Sequence, residues 1–249
     1  MGDMMKIYIK DININYEVSG VGHPLIFLHG WGSNLHAFDK LTEQLNEDYT
    51  IYQIDLPGFG ESEIFDSYTI EEYAEIIHEF CLKLGVVKPI LVGHSFGGRI
   101  AIKFASLYSV RRLVLIGSPG IREKFNIIKW LKIRVYKISK KLKIKTNLGS
   151  IDYKNASNIL KDVLVKAVNN DLTYSLLNIR CETLIIHGKD DKTVPLYIAK
   201  KMKNLIPNCG IVVVKNAGHF PFVDRFRLVI IVLKSFLSGN KFWFILFLV

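Results

Sequence analysis

Cysteine is scarce in this chain: Cys81, Cys181 and Cys209 are the only three among 249 residues, and they lie far apart. An odd, scattered set excludes a paired disulfide framework and any thiolate metal site of recognisable spacing. A cytoplasmic, reducing compartment is therefore expected. A membrane-spanning run is missing as well. The apolar tail Phe242 to Val249 has eight residues, far short of the roughly 20 that a spanning helix needs. Such a tail can lie on a membrane surface, pack on the body or stay disordered, and its composition does not choose among these. Met1 to Asp11 hold no long apolar run behind a basic start, so no secretory signal is expected. Internal repeats and low-complexity linkers are absent too. With 49% apolar and 22% charged residues, what is left is the profile of one folded globular domain with a substantial core.

Charge of one sign is in excess, but only locally. The formal net charge is +10. Between residues 121 and 179, thirteen lysines and arginines stand against four acidic residues, and the remaining chain carries twenty against nineteen. A generally basic protein would suggest nucleic acid. A basic insert on a balanced body does not, and no nucleic-acid partner is expected.

Alternating residues in Lys6–Lys10 and Ile12–Val18 predict a half-exposed opening hairpin. Later runs are solidly apolar: Leu25–Leu28, Ile90–Val92, Leu113–Ile116, Thr183–Ile186 and Ile211–Val214. Strands of this kind are covered on both faces, as in a parallel sheet between helix layers. Thr50–Ile54 is assigned to the same sheet. Helical patterns fall between them, over His36–Asn46, Gly98–Leu107, Leu196–Leu205 and Val223–Leu237. Another begins at Thr69 with the capping box Thr69-x-x-Glu72 and ends before Gly85. The alternation predicts an α/β class: a mainly parallel, doubly wound sheet with right-handed crossovers. Residues 121–179 are far too many for a loop between two strands. Inside them Ile128, Leu131, Val135, Ile138 and Leu142 recur at helical spacing, with Lys129, Lys132, Lys137, Lys140 and Lys141 largely off the stripe. The segment is expected to carry helices of its own.

Gly93-His-Ser-Phe-Gly97 matches G-x-S-x-G directly after a buried strand and directly before a helix. That context makes it a nucleophile elbow, with Ser95 held on a strained turn and Gly93, Gly97 and Gly98 leaving it room. A serine hydroxyl needs a base. Among seven histidines, His219 is the candidate, because Asn216-Ala-Gly-His219 follows the last apolar strand. His94 is read as packing and His29 as a brace for its loop; His23, His36, His78 and His187 receive no role. An imidazole base needs an acid to fix its tautomer. Asp190 and Asp191 both follow the strand ending near His187, and the residues alone do not separate them. One should face His219 and the other cap the turn or the helix after Pro195. His29-Gly-Trp-Gly32 supplies an oxyanion loop, so the backbone N–H groups of Trp31 and Phe96 are the expected donors.

Together, His29-Gly-Trp-Gly32, Asp55-Leu-Pro-Gly-Phe-Gly-Glu-Ser62, Gly93-His-Ser-Phe-Gly-Gly98, Gly188-Lys-Asp-Asp-Lys-Thr-Val-Pro195 and Gly218-His219 resemble the successive signatures of the α/β-hydrolase superfamily, in that family's order. The resemblance implies Asp191, three residues after the strand-closing glycine, as the acid. It also implies a serine-nucleophile branch whose core spans residues 1–120 and 180–240, with 121–179 as a cap inserted after the sixth strand and 241–249 as a tail. The implied chemistry is hydrolysis of an ester or thioester through an acyl-enzyme on Ser95, without metal or organic cofactor. Carbon–carbon bond hydrolysis of keto acids, a lid-gated lipase and a silent binding protein are the alternatives. The basic cap would draw in an anionic small-molecule substrate or, with Trp130 and the tail, make weak contact with an anionic membrane surface. A solvated lysine-rich face explains the same residues.

Overall fold

The computed structural model describes residues 3–122 and 156–239. Its centre is an eight-stranded sheet: β1 (Asp3–Ile9), β2 (Ile12–Ser19), β3 (His23–Leu28), β4 (Tyr49–Ile54), β5 (Ile90–His94), β6 (Arg112–Ile116), β7 (Glu182–Gly188) and β8 (Cys209–Val214). The spatial order is β1-β2-β4-β3-β5-β6-β7-β8. β1 and β2 form an antiparallel hairpin, and β2 meets β4 antiparallel. Every pairing from β4 to β8 is parallel.

Period two in the central strands sends alternate side chains to opposite faces, and both faces are covered. Leu25 and Phe27 join one core with Ile90, Val92, Val114 and Ile186. Ile26 and Leu28 join the other with Leu91, Leu113 and Ile185. The first core is closed by a 3-10 turn over Leu35–Phe38, by α1 (Asp39–Thr42), by α7 (Pro221–Asp224) and by α8 (Phe226–Leu237). The second is closed by α2 (Ile70–Lys83), α3 (Phe96–Leu107) and α6 (Leu196–Leu205). Between β6 and β7 lie α4 (Asn158–Asn169) and α5 (Thr173–Asn178). The stripe Ile128–Leu142 with its lysines, Trp130 and the apolar tail fall outside the described residues. No helix among the described residues is long and apolar enough to cross a membrane.

The capping box forms as expected: Thr69 caps Glu72 and the Glu72 side chain returns to the Thr69 backbone. Two helices differ from expectation. His36–Asn46 is not one helix, because the Gln53 amide takes the Leu35 carbonyl at 2.8 Å. The Asp39 N–H turns to the His36 carbonyl instead, which tightens the chain into short turns. Val223–Leu237 is broken at Arg225, whose backbone leaves the helical region at φ −135° and ψ 49°. Just before the break, the Asp224 carboxylate accepts the Gly218 N–H at 2.8 Å. That ties the segment back to the loop carrying His219.

Candidate active site

β5 ends at His94, and Ser95 begins α3 with φ 50° and ψ −109°. A non-glycine residue in that region is strained by roughly 1–3 kcal/mol and persists only where neighbours over-determine it. They do so here. The Ser95 N–H donates to the Ile116 carbonyl at 3.0 Å, and the Gly97 N–H donates to His29 at 3.0 Å. A β-carbon on Gly97 would sit 2.1 Å from the Leu28 carbonyl oxygen. Only a bare backbone lets the elbow approach β3 so closely.

Ser95, Asp191 and His219 follow three different strands at their C-terminal ends, where loops of a parallel sheet gather ligands. The fold brings them together. His219 Nε2 is 3.0 Å from Ser95 Oγ, and His219 Nδ1 is 2.8 Å from Asp191 Oδ2. An ionised carboxylate only accepts, so the imidazole proton sits on Nδ1 and the Nε2 lone pair faces the serine hydroxyl. The Asp191 side chain is wholly buried while His219 keeps 14% exposure. Burial disfavours the charged carboxylate, but the hydrogen bond from His219 and the N–H groups of Val194 and Thr193 outweigh it and hold Asp191 below its ordinary range.

Asp191, not Asp190, is the aspartate within reach of His219. It also supplies the turn cap: Oδ1 accepts from Thr193 at 2.8 Å and from Val194 at 2.9 Å. The expected capping role of Asp190 is not found. α6 starts from Pro195 with no side-chain cap, and the Asp190 N–H donates to the Ala217 carbonyl at 2.9 Å. One carboxylate does both jobs because its two oxygens point in different directions.

Trp31 follows β3 on the loop beside the elbow. Its ring meets Phe96 edge-on at 5.3 Å and Phe59 at 5.0 Å. Among the described residues, neither the Trp31 nor the Phe96 backbone N–H is spent on an acceptor, leaving both available to a ligand oxygen. His29 braces this loop from within. Its Nδ1–H donates to the Gly30 carbonyl at 2.8 Å and its Nε2 accepts the Leu56 N–H at 3.0 Å. Asp55, 2% exposed, accepts from Leu35 at 2.7 Å and from Asn15 at 2.8 Å.

Sequence reasoning left three contributors unassigned. Ser118 fills the space a Gly98 side chain would need and donates to the Gly93 carbonyl at 3.1 Å. His187 is fully buried and its Nε2 donates to the Val194 carbonyl at 2.9 Å, which fastens the far end of the Asp191 turn. Gly117 lies beneath His219. Ser118 and Gly117 carry no local signal because they act on residues distant in the chain, and His187, 7 positions from Val194, belongs to no motif that would single it out. Cysteine offers no competing nucleophile: burial pushes the Cys81 and Cys209 thiols up to about 12 and Cys181 to about 11. No group of three His, Cys, Asp or Glu side chains among the described residues is arranged to hold a metal ion.

Residues 23–143 match a family model described as the alpha/beta hydrolase fold, and solved structures of that fold superpose on nearly the whole chain. This chain has the alpha/beta hydrolase fold. An esterase from Exiguobacterium antarcticum superposes with a TM-score of 0.79 at 24% identity, over 96% of this chain and 100% of its own. Among curated proteins, the chain is 28% identical to a pimeloyl-[acyl-carrier protein] methyl ester esterase of Wigglesworthia glossinidia brevipalpis, over 86% of this chain and 93% of that one. It is 25% identical to the protein of the same name from Proteus mirabilis, over 81% and 87%. The hydrolase fold thus extends over the whole set of loops that carry Trp31, Ser95, Asp191 and His219.

Proposed function

We propose that the protein hydrolyses a carboxylic ester or thioester through an acyl-enzyme on Ser95. The observation that carries this reading is the unbroken relay from Ser95 Oγ to His219 Nε2, 3.0 Å, and from His219 Nδ1 to Asp191 Oδ2, 2.8 Å. Ser95 attacks the carbonyl carbon while His219 takes the hydroxyl proton. The resulting imidazolium is stabilised by Asp191, which stays ionised. The N–H groups of Trp31 and Phe96 hold the tetrahedral oxyanion. His219 then passes its proton to the leaving oxygen or sulfur, the bond to the leaving group breaks, and the acyl group remains on Ser95. Water, deprotonated by His219, attacks this acyl-enzyme; the acid departs and the proton returns to Ser95.

The substrate is a small acyl ester, and methyl esters of acyl chains are the first class to assay, given the names of the curated relatives. Residues 121–179, inserted after the sixth strand, serve as the cap. Its excess of thirteen basic over four acidic residues favours substrates or carriers that bear negative charge. The three free cysteines fit a cytoplasmic site of action.

A fluorophosphonate probe tests the reading. The native protein should label and Ser95→Ala should not, and Ser95→Ala should lose at least ~10³-fold in kcat on any ester turned over. Native, folded protein that neither labels nor cleaves esters across a chain-length series would overturn it in favour of a binding protein of the same fold.

A further inference from the structure

His94, the residue before Ser95, is 2% exposed and lies where three parts of the site meet. Its Nε2–H donates to the backbone carbonyl of His219 at 3.0 Å, across 125 positions of sequence. Its Nδ1 faces the oxyanion loop so closely that a β-carbon on Gly30 would lie 2.7 Å from it. Its ring tilts against the His219 ring at 4.9 Å and is walled by Phe220 at 4.8 Å and Phe222 at 5.2 Å. Simple packing against phenylalanines would not require a nitrogen pointed at a carbonyl.

We infer that His94 is a positioning residue for the reaction proposed above, its N–H tethering the His219 backbone so that the imidazole keeps its place between Ser95 and Asp191. This inference rests on the serine-hydrolase reading. The physical reason is the loop itself. Asn216-Ala-Gly-His219 has a left-handed residue at Asn216, φ 53°, and a glycine immediately before the histidine. The neighbouring residues are held, Ala217 by the Asp190 N–H and Gly218 by the Asp224 carboxylate. Among the described residues, the bond from His94 is the one that fixes the His219 backbone itself. The tether works because His94 stays neutral. Burial first, and the neighbouring His219 second, push its pKa down to about 3. A neutral ring donates from Nε2 without placing a second positive charge beside the imidazolium that forms in turnover. A misplacement of about 1 Å can cost about 10²-fold in rate, so a single tether is enough to matter.

The test separates donation from filling. His94→Phe keeps a planar ring and loses the donor; His94→Gln carries an amide N–H to about the depth of the imidazole Nε2. Steady-state kinetics on one ester are expected to show a kcat lower by roughly 10–100-fold in His94→Phe with KM within about twofold. His94→Gln is expected to recover most of that loss. Fluorophosphonate labelling, which draws on the same base, should slow in parallel with kcat. A His94→Phe enzyme with kcat within twofold of native, or a His94→Gln enzyme as impaired as His94→Phe, would overturn the inference. If phenylalanine prevents folding, His94→Met, smaller and without a donor, takes its place in the same comparison. Failure of the underlying reading is a different result: the native protein itself would then neither label nor turn over.

Discussion

Gly117 lies directly under His219: a β-carbon there would sit 3.0 Å from the His219 carbonyl oxygen and 3.3 Å from its Nδ1. The backbone at Gly117 has φ 53°, and its N–H donates to the Ile186 carbonyl at 3.0 Å. A side chain would therefore be strained by its own backbone and pressed against the ring that holds the proton. Gly117→Ala is expected to cost about 1–3 kcal/mol of stability and to lower kcat by about tenfold, because the ring must shift from Ser95. Denaturant melts and ester kinetics on the same preparation check both. An alanine variant with native kcat would show that the ring does not rest on this backbone.

The division of labour at Asp191 yields a cleaner variant. Asparagine at 191 keeps an Oδ1 acceptor for Thr193 and Val194, so the turn should survive and the melting temperature change little. It loses the charge and the acceptor that fix the His219 tautomer, and kcat should fall by roughly 10³–10⁴. Asp190→Asn should leave kcat within about twofold. Equal losses in the two variants would contradict the placement of Asp191 Oδ2 at 2.8 Å from His219 Nδ1.

Acid should weaken the fold from an unusually high pH. Burial, the largest influence on each, holds His29, His94 and His187 below the ordinary histidine value of 6.5. In the unfolded chain these rings take up protons as pH falls below 6.5, while in the folded protein they resist. Their contribution is thus fully present above 6.5 and is lost progressively on acidification towards their folded values. Asp191 has the same sign in a lower window, beginning only near its ordinary value of 3.8. Each ring that must charge on unfolding adds a slope of about 1.4 kcal/mol per pH unit. Urea midpoints should therefore fall between pH 6.5 and 5, and the fall should be shallower in His94→Gln. A flat stability curve across that window would refute the buried neutral state of these rings.

The local excess of positive charge predicts a salt effect that depends on substrate. Raising salt to about 1 M shrinks the screening length to about 3 Å. KM for an anionic ester should then rise several-fold while KM for a neutral ester of equal length stays within about twofold. Parallel changes for both esters would mean that the lysines of residues 121–179 are a solvated surface.

Much of this molecule is written in local patterns. Apolar runs such as Leu113–Ile116 are too continuous for a half-exposed strand, and a buried parallel sheet follows from covering both their faces. Gly93-His-Ser-Phe-Gly97 announces a strained turn because two glycines flank a serine between a strand and a helix. Helix continuity was less legible. The tight turns at Leu35–Phe38 arise from Gln53 reaching Leu35, 18 positions away. The break at Arg225 goes with Asp224 reaching 6 positions back to Gly218, a side-chain bond that hydrophobic periodicity does not register.

By itself, then, the chain's periodicity determined layers, strand sites and the residue types able to do acyl chemistry. The family resemblance named Asp191; that its carboxylate also ties its own turn, and that His94 and Gly117 hold His219 from either side, were decided by tertiary structure. The reason is geometric. Strands β3, β5, β6, β7 and β8 become neighbours in that order only after crossovers of many residues, and only then do their end loops lie within hydrogen-bonding distance.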